Sequence, residues 1–284
     1  MLFGAAMFFT AESMAPGTLG RLLEERGFES LWVPEHSHIP VTRSTPFPGG
    51  GDLPRPYYDI MDPFLVLTAA AVATTTLKIG TGVCLVNQRD PIHTAKLVSS
   101  IDQLSGGRFL FGVGNGWNRE EMEHHGTDFA TRHKLSRERI EAMQAIWTQD
   151  TAEYRGEFVN FGPMQTWPKP VQKPYPPLIV GGAWPYGARR AVRYGNGWIP
   201  RAGRPQYDDV TNFLPQFHEL ARAAGRDPAS LPITIFRVPD RLDRLQHYRD
   251  LGVTRVVISL PAAKEDEILP ILDRWAPLMR AMAE

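Results

Sequence analysis

Residues Leu77 to Pro91 read LKIGTGVCLVNQRDP, and Phe109 to Trp117 read FLFGVGNGW. The first stretch is a β-rich run (Ile79, Val83, Leu85, Val86) with polar tip residues. It ends in Asp90, a helix N-cap, and Pro91, which suits the first helical position. The helix that follows stops at Gly106-Gly107, and the second apolar run starts immediately and again ends in glycines. Two successive strand-then-helix units of this kind predict a parallel sheet rather than a hairpin. The strand tips of such a sheet are where an α/β protein does its chemistry.

Working outward from this stretch, periodicity and Gly/Pro punctuation predict eight strands, most of them followed by a helix. The strands are Leu2 to Phe9, Ser30 to Val33, Lys78 to Leu85, Phe109 to Val113, Leu178 to Val180, Gly197 to Pro200, Ile233 to Val238 and Arg255 to Leu260. Eight is the number that closes a barrel. Asp62-Pro63 and Asp90-Pro91 open two of the helices, and in the second Ile92, Ala95, Val98 and Ile101 fall on one face. Further helices are expected over Arg137 to Trp147, over Gln206 to Ala224 before Gly225, and over Glu265 to Met282. Two stretches exceed ordinary barrel connections. Pro34 to Met61, rich in proline and glycine, reads as an active-site loop or lid. Thr148 to Pro177 carries a small hairpin around Gly156 and then the extended segment WPKPVQKPYPP. Both read as insertions in one domain spanning residues 1–284.

The chain has 284 residues and formal net charge zero, which suggests neither a nucleic-acid surface nor a polybasic membrane anchor. A single cysteine, Cys84, excludes an intrachain disulfide and a Cys-based metal cluster. No apolar run approaches the roughly 20 residues of a membrane helix, and the N-terminus lacks the basic flank of a signal peptide. A cytoplasmic protein acting on a small molecule is the expectation.

Among candidate residues, His36 lies just beyond strand 2 in LWVPEHSHIP. At a strand's C-terminal tip an imidazole is placed to donate or accept a proton; the plainer reading is that His36 and His38 cap the long loop. Glu35, His36 and His38 are too close in sequence to converge on one ion, so no metal site is expected. The glycines of GVGNGW have spacing unlike a dinucleotide fingerprint, but they let a flat or phosphorylated ligand approach the backbone beside Asn115. The clearest phosphate signal is LIVGGAWPYGARR. A strand meets Gly181-Gly182 and then a helix bearing Arg189 and Arg190, the alternative being arginines that merely cover a surface helix. A glycine inside IGTGVCLV marks a bulge or a close ligand approach. Cys84 reads as a small core residue, and His124, His125 and His133 read as surface residues.

Taken in order, FESLWVPEH, DPFLVLTAAAVATTTLKIGTGV, RDPIHTAKLVSSIDQLSGGRFLFGVGNGW, PKPVQKPYPPLIVGG and RRAVRYGNGW resemble the bacterial luciferase-like flavin and deazaflavin oxidoreductases. The resemblance is closest to the branch thought to use coenzyme F420. It implies a (β/α)8 TIM barrel, commonly a homodimer, with cofactor and substrate at the C-terminal mouth. Position by position it implies His36 near the reactive ring. Thr81, Gly82 and Val83 would form the bulge under the ring, which in deazaflavin members contains a non-proline cis peptide. Gly114, Asn115 and Gly116 would lie beside the ring, and Gly181, Gly182 and Ala183 would form the phosphate loop. One departure is Trp117, where sugar-oxidising relatives carry a glutamate, and it speaks against sugar-phosphate oxidation. The implied activity is F420-dependent hydride transfer. The alternatives are an FMN-dependent two-component monooxygenase and a non-catalytic flavin-binding protein. An ordinary phosphate-sugar barrel enzyme is disfavoured because FRVPDRLDR and SLPAAK, at strands 7 and 8, lack a Gly-rich tip.

Overall fold

The computed structural model describes residues 1–201 and 209–283. Its strands are β1 (Leu2–Met7), β2 (Ser30–Val33), β3 (Lys78–Thr81), β4 (Cys84–Leu85), β5 (Phe109–Gly114), β6 (Ala152–Arg155), β7 (Asn160–Met164), β8 (Leu178–Gly181), β9 (Gly197–Ile199), β10 (Thr234–Phe236) and β11 (Arg255–Leu260). Its α-helices are α1 (Pro16–Glu25), α2 (Pro56–Asp59), α3 (Pro63–Val72), α4 (Pro91–Leu104), α5 (Arg119–His124), α6 (Arg132–Thr148), α7 (Tyr186–Tyr194), α8 (Leu214–Ala223), α9 (Leu242–Asp250) and α10 (Glu265–Ala281). All eight predicted strands are present. They pair in the order β10-β11-β1-β2-β3-β5-β8-β9, every pairing parallel. One parallel bridge between Trp198 and Ile233 joins the two ends, so the sheet is a nearly closed (β/α)8 barrel.

The local chemistry is as the sequence implies. Asp62 accepts from the amides of Phe64 and Leu65 at the start of α3, and Asp90 accepts from the His93 amide at the start of α4, each with proline at the first turn. Ala95, Val98 and Ile101 are buried against the barrel, whereas Ile92 is exposed. The barrel interior is plugged by Trp32, Leu110, Ile179, Ile199 and Val257, with Ala6, Val83 and Phe236 packed above them. Space for the fully buried Trp32 comes from missing side chains. A Cβ on Gly80 would lie 2.7 Å from the indole ring and one on Gly4 3.0 Å from its nitrogen.

The predicted strand Lys78 to Leu85 is interrupted. Gly80 stands opposite Leu110 and Cys84 opposite Val113, so four steps on one strand face three on the other, leaving one extra residue: a bulge. The Gly82-Val83 peptide at this bulge is cis. The Gly82 amide donates to Val33 on β2 at 2.8 Å, and the Thr81 hydroxyl donates to the Gly112 carbonyl on β5 at 2.7 Å. The bulge is therefore tied to both neighbouring strands. The hairpin expected around Gly156 is the antiparallel pair β6-β7. Gln206 to Asp208, the start of one predicted helix, lie outside the described residues; the described part begins as a 3-10 turn at Val210 and continues as α8. No helix among the described residues is long and apolar enough to cross a membrane.

Candidate active site

Beyond the end of β2 the chain sends three side chains in three directions. Glu35 turns into the protein, where its carboxylate accepts from the Leu85 amide at 2.7 Å and pairs with Arg89 at 2.5 Å. Arg89 in turn reaches Asp62, the cap of α3, at 2.6 Å. This network clamps the tip of β2 to the far side of the bulge and to the starts of two helices. Burial raises the Glu35 carboxyl above its ordinary range, with Arg89 the main opposing influence. The Cys84 thiol is likewise pushed well up, first by burial and then by the Glu35 charge, so it is a core residue and no nucleophile.

His36 turns the other way. Its Nδ1 lies 2.8 Å from Glu121 Oε2 on α5, while Glu121 Oε1 accepts from the Ser37 amide at 3.2 Å. Glu121 is wholly buried and the His36 side chain nearly so, at 0% and 7% exposure. A carboxylate only accepts, so the shared hydrogen belongs to Nδ1. Nε2 is then the ring atom left for a substrate, with no protein partner among the described residues. Tyr57 and Trp117 flank the imidazole at ring-centroid distances of 5.3 and 5.7 Å, and Phe47 packs on both. Trp117, singled out above as a departure, thus forms part of an aromatic wall, and the carboxylate beside the histidine comes from α5. His38 faces His124, with Nε2 to Nδ1 at 2.8 Å, and Ser37 Oγ lies 2.7 Å from His125 Nε2. His124 and His125 are exposed, as expected of them, and His38 is half-buried; together they fasten the long loop to α5.

At the C-terminal ends of the strands His36 opens onto a cavity of about 460 Å3. Gly82, Val83, Gly114, Asn115, Gly116, Gly181 and Gly182 all line it, beneath a mostly apolar wall that includes Met7, Phe8, Tyr57, Trp117 and Phe236. The glycines are needed: a Cβ on Gly114 would collide with Val83, and one on Gly181 would come within 3.1 Å of it. Thr81 is the exception among the expected residues. It is fully buried and supports the floor from below rather than lining the cavity.

Asn115, Gly116, Gly181, Gly182 and Arg201 also line a second cavity of about 650 Å3, and Ala183 lines it too. Its walls carry Arg132, Lys134 and Arg137 from α6 and Arg189, Arg190 and Arg193 from α7, and none of the described lining residues is acidic. Burial and then the neighbouring guanidiniums lower the Arg132 pKa. The same influences, led by burial and Arg132, depress His133 to about 4, leaving it neutral at pH 7. The buried Nε atoms of Arg132 and Arg190 have no hydrogen-bond partner among the described residues. Lys134 pairs with Glu157 and Arg137 with Glu141 outside the cavity lining, whereas Arg132, Arg189, Arg190 and Arg193 have no acidic partner among the described residues, a set that fits a ligand with several negative charges.

Sequence reasoning found Arg189 and Arg190 but missed Glu121 and the α6 cations. The His36–Glu121 contact spans 85 residues and joins a loop to a short polar helix, which leaves no periodic trace. The α7 cluster did leave one, because Arg189, Arg190 and Arg193 recur at helical spacing with no acid nearby.

Comparison with known proteins agrees with this geometry. An uncharacterized protein of Mycobacterium tuberculosis is 38% identical over 285 residues, covering 97% of this chain and 98% of that one. An F420-dependent hydroxymycolic acid dehydrogenase of the same species is 28% identical over 217 residues, covering 73% of this chain and 54% of that one. An FMNH2-dependent dimethylsulfone monooxygenase of Pseudomonas putida is 32% identical over 150 residues, covering 50% and 41%. The crystal structure of monooxygenase RslO1 from Streptomyces bottropensis superposes with a TM-score of 0.81 at 20% identity, covering 100% of both chains, a likeness of fold. The profile of the luciferase-like monooxygenases matches residues 17–240, and the chain belongs to that family.

Proposed function

We propose that the protein is a cytoplasmic, homodimeric oxidoreductase that exchanges a hydride between coenzyme F420 and a small organic substrate. The observation that carries this reading is that the two cavities share Asn115, Gly116, Gly181, Gly182 and Arg201 as lining. A chamber with a histidine at its wall adjoins, at its glycine floor, a pocket walled by arginines. F420 pairs a flat ring with a side chain bearing a phosphodiester and several carboxylates, and those are the shapes and charges the two cavities fit. Relatives in the family use F420 or FMN. FMN is the second reading, since a glycine phosphate loop serves it equally, but its single phosphate leaves most of the arginines unmatched.

When bound, the cofactor supplies a ring carbon that accepts or gives a hydride. Every other task falls to the chain. Gly82, Val83, Gly114, Asn115 and Gly116 would hold the ring, and Gly181, Gly182 and Ala183 would hold the phosphate by close backbone approach. Arg132 and Arg190 would pair with the anionic tail through the donors that lack partners. His36 would move the proton that accompanies hydride transfer, through Nε2, with Glu121 fixing its tautomer and orientation. Tyr57, Trp117 and Phe47 would exclude water. The dimer would form through α3 and α4, which expose Leu65, Val72, Leu97 and Leu104; light scattering showing a monomer at micromolar concentrations would refute it. For the cofactor, the test is tail length. F420 bearing one glutamate should bind more weakly than F420 bearing several, and the difference should shrink as salt rises. Affinity independent of tail length would remove the basis for preferring F420.

A further inference from the structure

Arg237 is the sole described residue other than glycine with a left-handed backbone, at φ +63°. It follows β10, between Phe236, packed edge-on against Trp32, and the buried Val238, and its amide donates to the Val257 carbonyl on β11 at 2.9 Å. The backbone is thus held from both sides in a conformation that glycine adopts without steric penalty. The chain nevertheless places there a long cation that lines the cavity onto which His36 opens. No ion pair or side-chain hydrogen bond engages the Arg237 guanidinium among the described residues, and the acid nearest in sequence, Asp240, is taken by Arg274. Two further polar residues line the same cavity from the neighbouring strand ends, Arg201 after β9 and Ser259 at the end of β11. In the strand order these three ends lie away from β2, which carries His36. The remaining acid in the lining, Glu35, is committed to Arg89 and the Leu85 amide.

We propose that Arg237, with Ser259 beside it, binds a carboxylate of the substrate. The substrates of this enzyme are then organic acids with an apolar body, whose acid group is anchored at the tips of β10 and β11 while the apolar part lies along Tyr57, Trp117 and Phe236. This rests on the reading of the His36 cavity as the substrate chamber. A backbone held left-handed for a residue that is not glycine points to a side chain with work to do. A guanidinium is the group that recognises a carboxylate in two-point fashion.

The test uses the protein without cofactor, so that it is independent of the choice between F420 and FMN. Phenylacetate and cyclohexanecarboxylate are titrated calorimetrically against their isosteric amides, phenylacetamide and cyclohexanecarboxamide. The acids should bind at least about tenfold more tightly than the amides. Arg237→Gly should erase that preference to within about twofold, whereas Arg190→Gln, in the arginine-walled cavity, should keep it. Because glycine accepts φ +63° freely, Arg237→Gly should melt at the same temperature as the parent or higher, which separates lost recognition from lost folding. Equal affinity for acid and amide overturns the proposal. So does a preference that survives Arg237→Gly or vanishes in Arg190→Gln, a lowered melting temperature in Arg237→Gly, or no acid binding at millimolar concentration. If acid preference holds while F420 fails to bind, only the cofactor reading falls.

Discussion

Replacing Glu121 by Gln keeps the shape of the side chain and removes its charge. In the native protein one oxygen takes the Nδ1 hydrogen of His36 at 2.8 Å and the other takes the Ser37 amide at 3.2 Å, both away from water. A glutamine has one acceptor oxygen and one NH2, so it can satisfy one of these donors and must present a donor to the other. A hydrogen bond to a charged group contributes about 1.5 to 3 kcal/mol against about 0.5 to 1.5 for a neutral one, and a stranded buried donor costs about 1 to 3 more. Loosening the junction that orients the imidazole should therefore cost about 2 to 4 kcal/mol. If half of that appears in the barrier, the rate falls about 5- to 30-fold, since each 1.36 kcal/mol is tenfold. Single-turnover reduction of the bound cofactor should slow by about that factor while cofactor affinity changes less than about threefold. Nitrogen NMR of the labelled ring should show the Nδ1-H tautomer in the parent and a mixture in Glu121→Gln. Unchanged transfer with an unchanged tautomer would refute the positioning role of Glu121.

Two further expectations follow from the packing and the charges. Gly80→Ala puts a methyl 2.7 Å from the Trp32 ring, an overpacking expected to cost about 1 to 3 kcal/mol in urea unfolding. Gly162→Ala, where nothing lies within 4 Å, should change stability by less than about 0.5 kcal/mol, and equal effects would contradict this view of the plug. The His133 pKa of about 4 lies below its ordinary 6.5, so an anion bound among the arginines should raise it. Binding then takes up protons, and anion affinity should strengthen as pH falls from 6.5 towards 4; calorimetry in buffers of different ionisation enthalpy showing no uptake would count against the assignment.

How far the sequence carried the fold depended on what each feature leaves in local pattern. The eight strands were legible because strands buried on both faces are apolar runs, and their ends are marked by glycine, proline and Asp-Pro helix starts. The glycine floor at Gly114, Gly116, Gly181 and Gly182 was legible for the same reason. The split of Lys78 to Leu85 into two strands was legible only as a glycine inside a run. Thr81 was placed under the ring by the resemblance, and its hydroxyl turns to the Gly112 carbonyl. Glu121 and the α6 arginines were not legible, because their meaning lies in contacts across the barrel mouth that no period in the chain encodes. Arg237 lies in FRVPDRLDR, a stretch read only for its lack of a glycine tip, and its left-handed backbone is a signal that only the structure carries.

The most direct test of the cofactor reading is a paired titration of the purified protein with oxidised F420 and with FMN, following ring fluorescence at fixed salt. F420 should bind at least about tenfold more tightly, a difference of about 1.4 kcal/mol supplied by the arginine-walled cavity, and Arg190→Gln should narrow it. FMN binding as tightly as F420 or more so would contradict the assignment and make the flavin monooxygenase reading the better one.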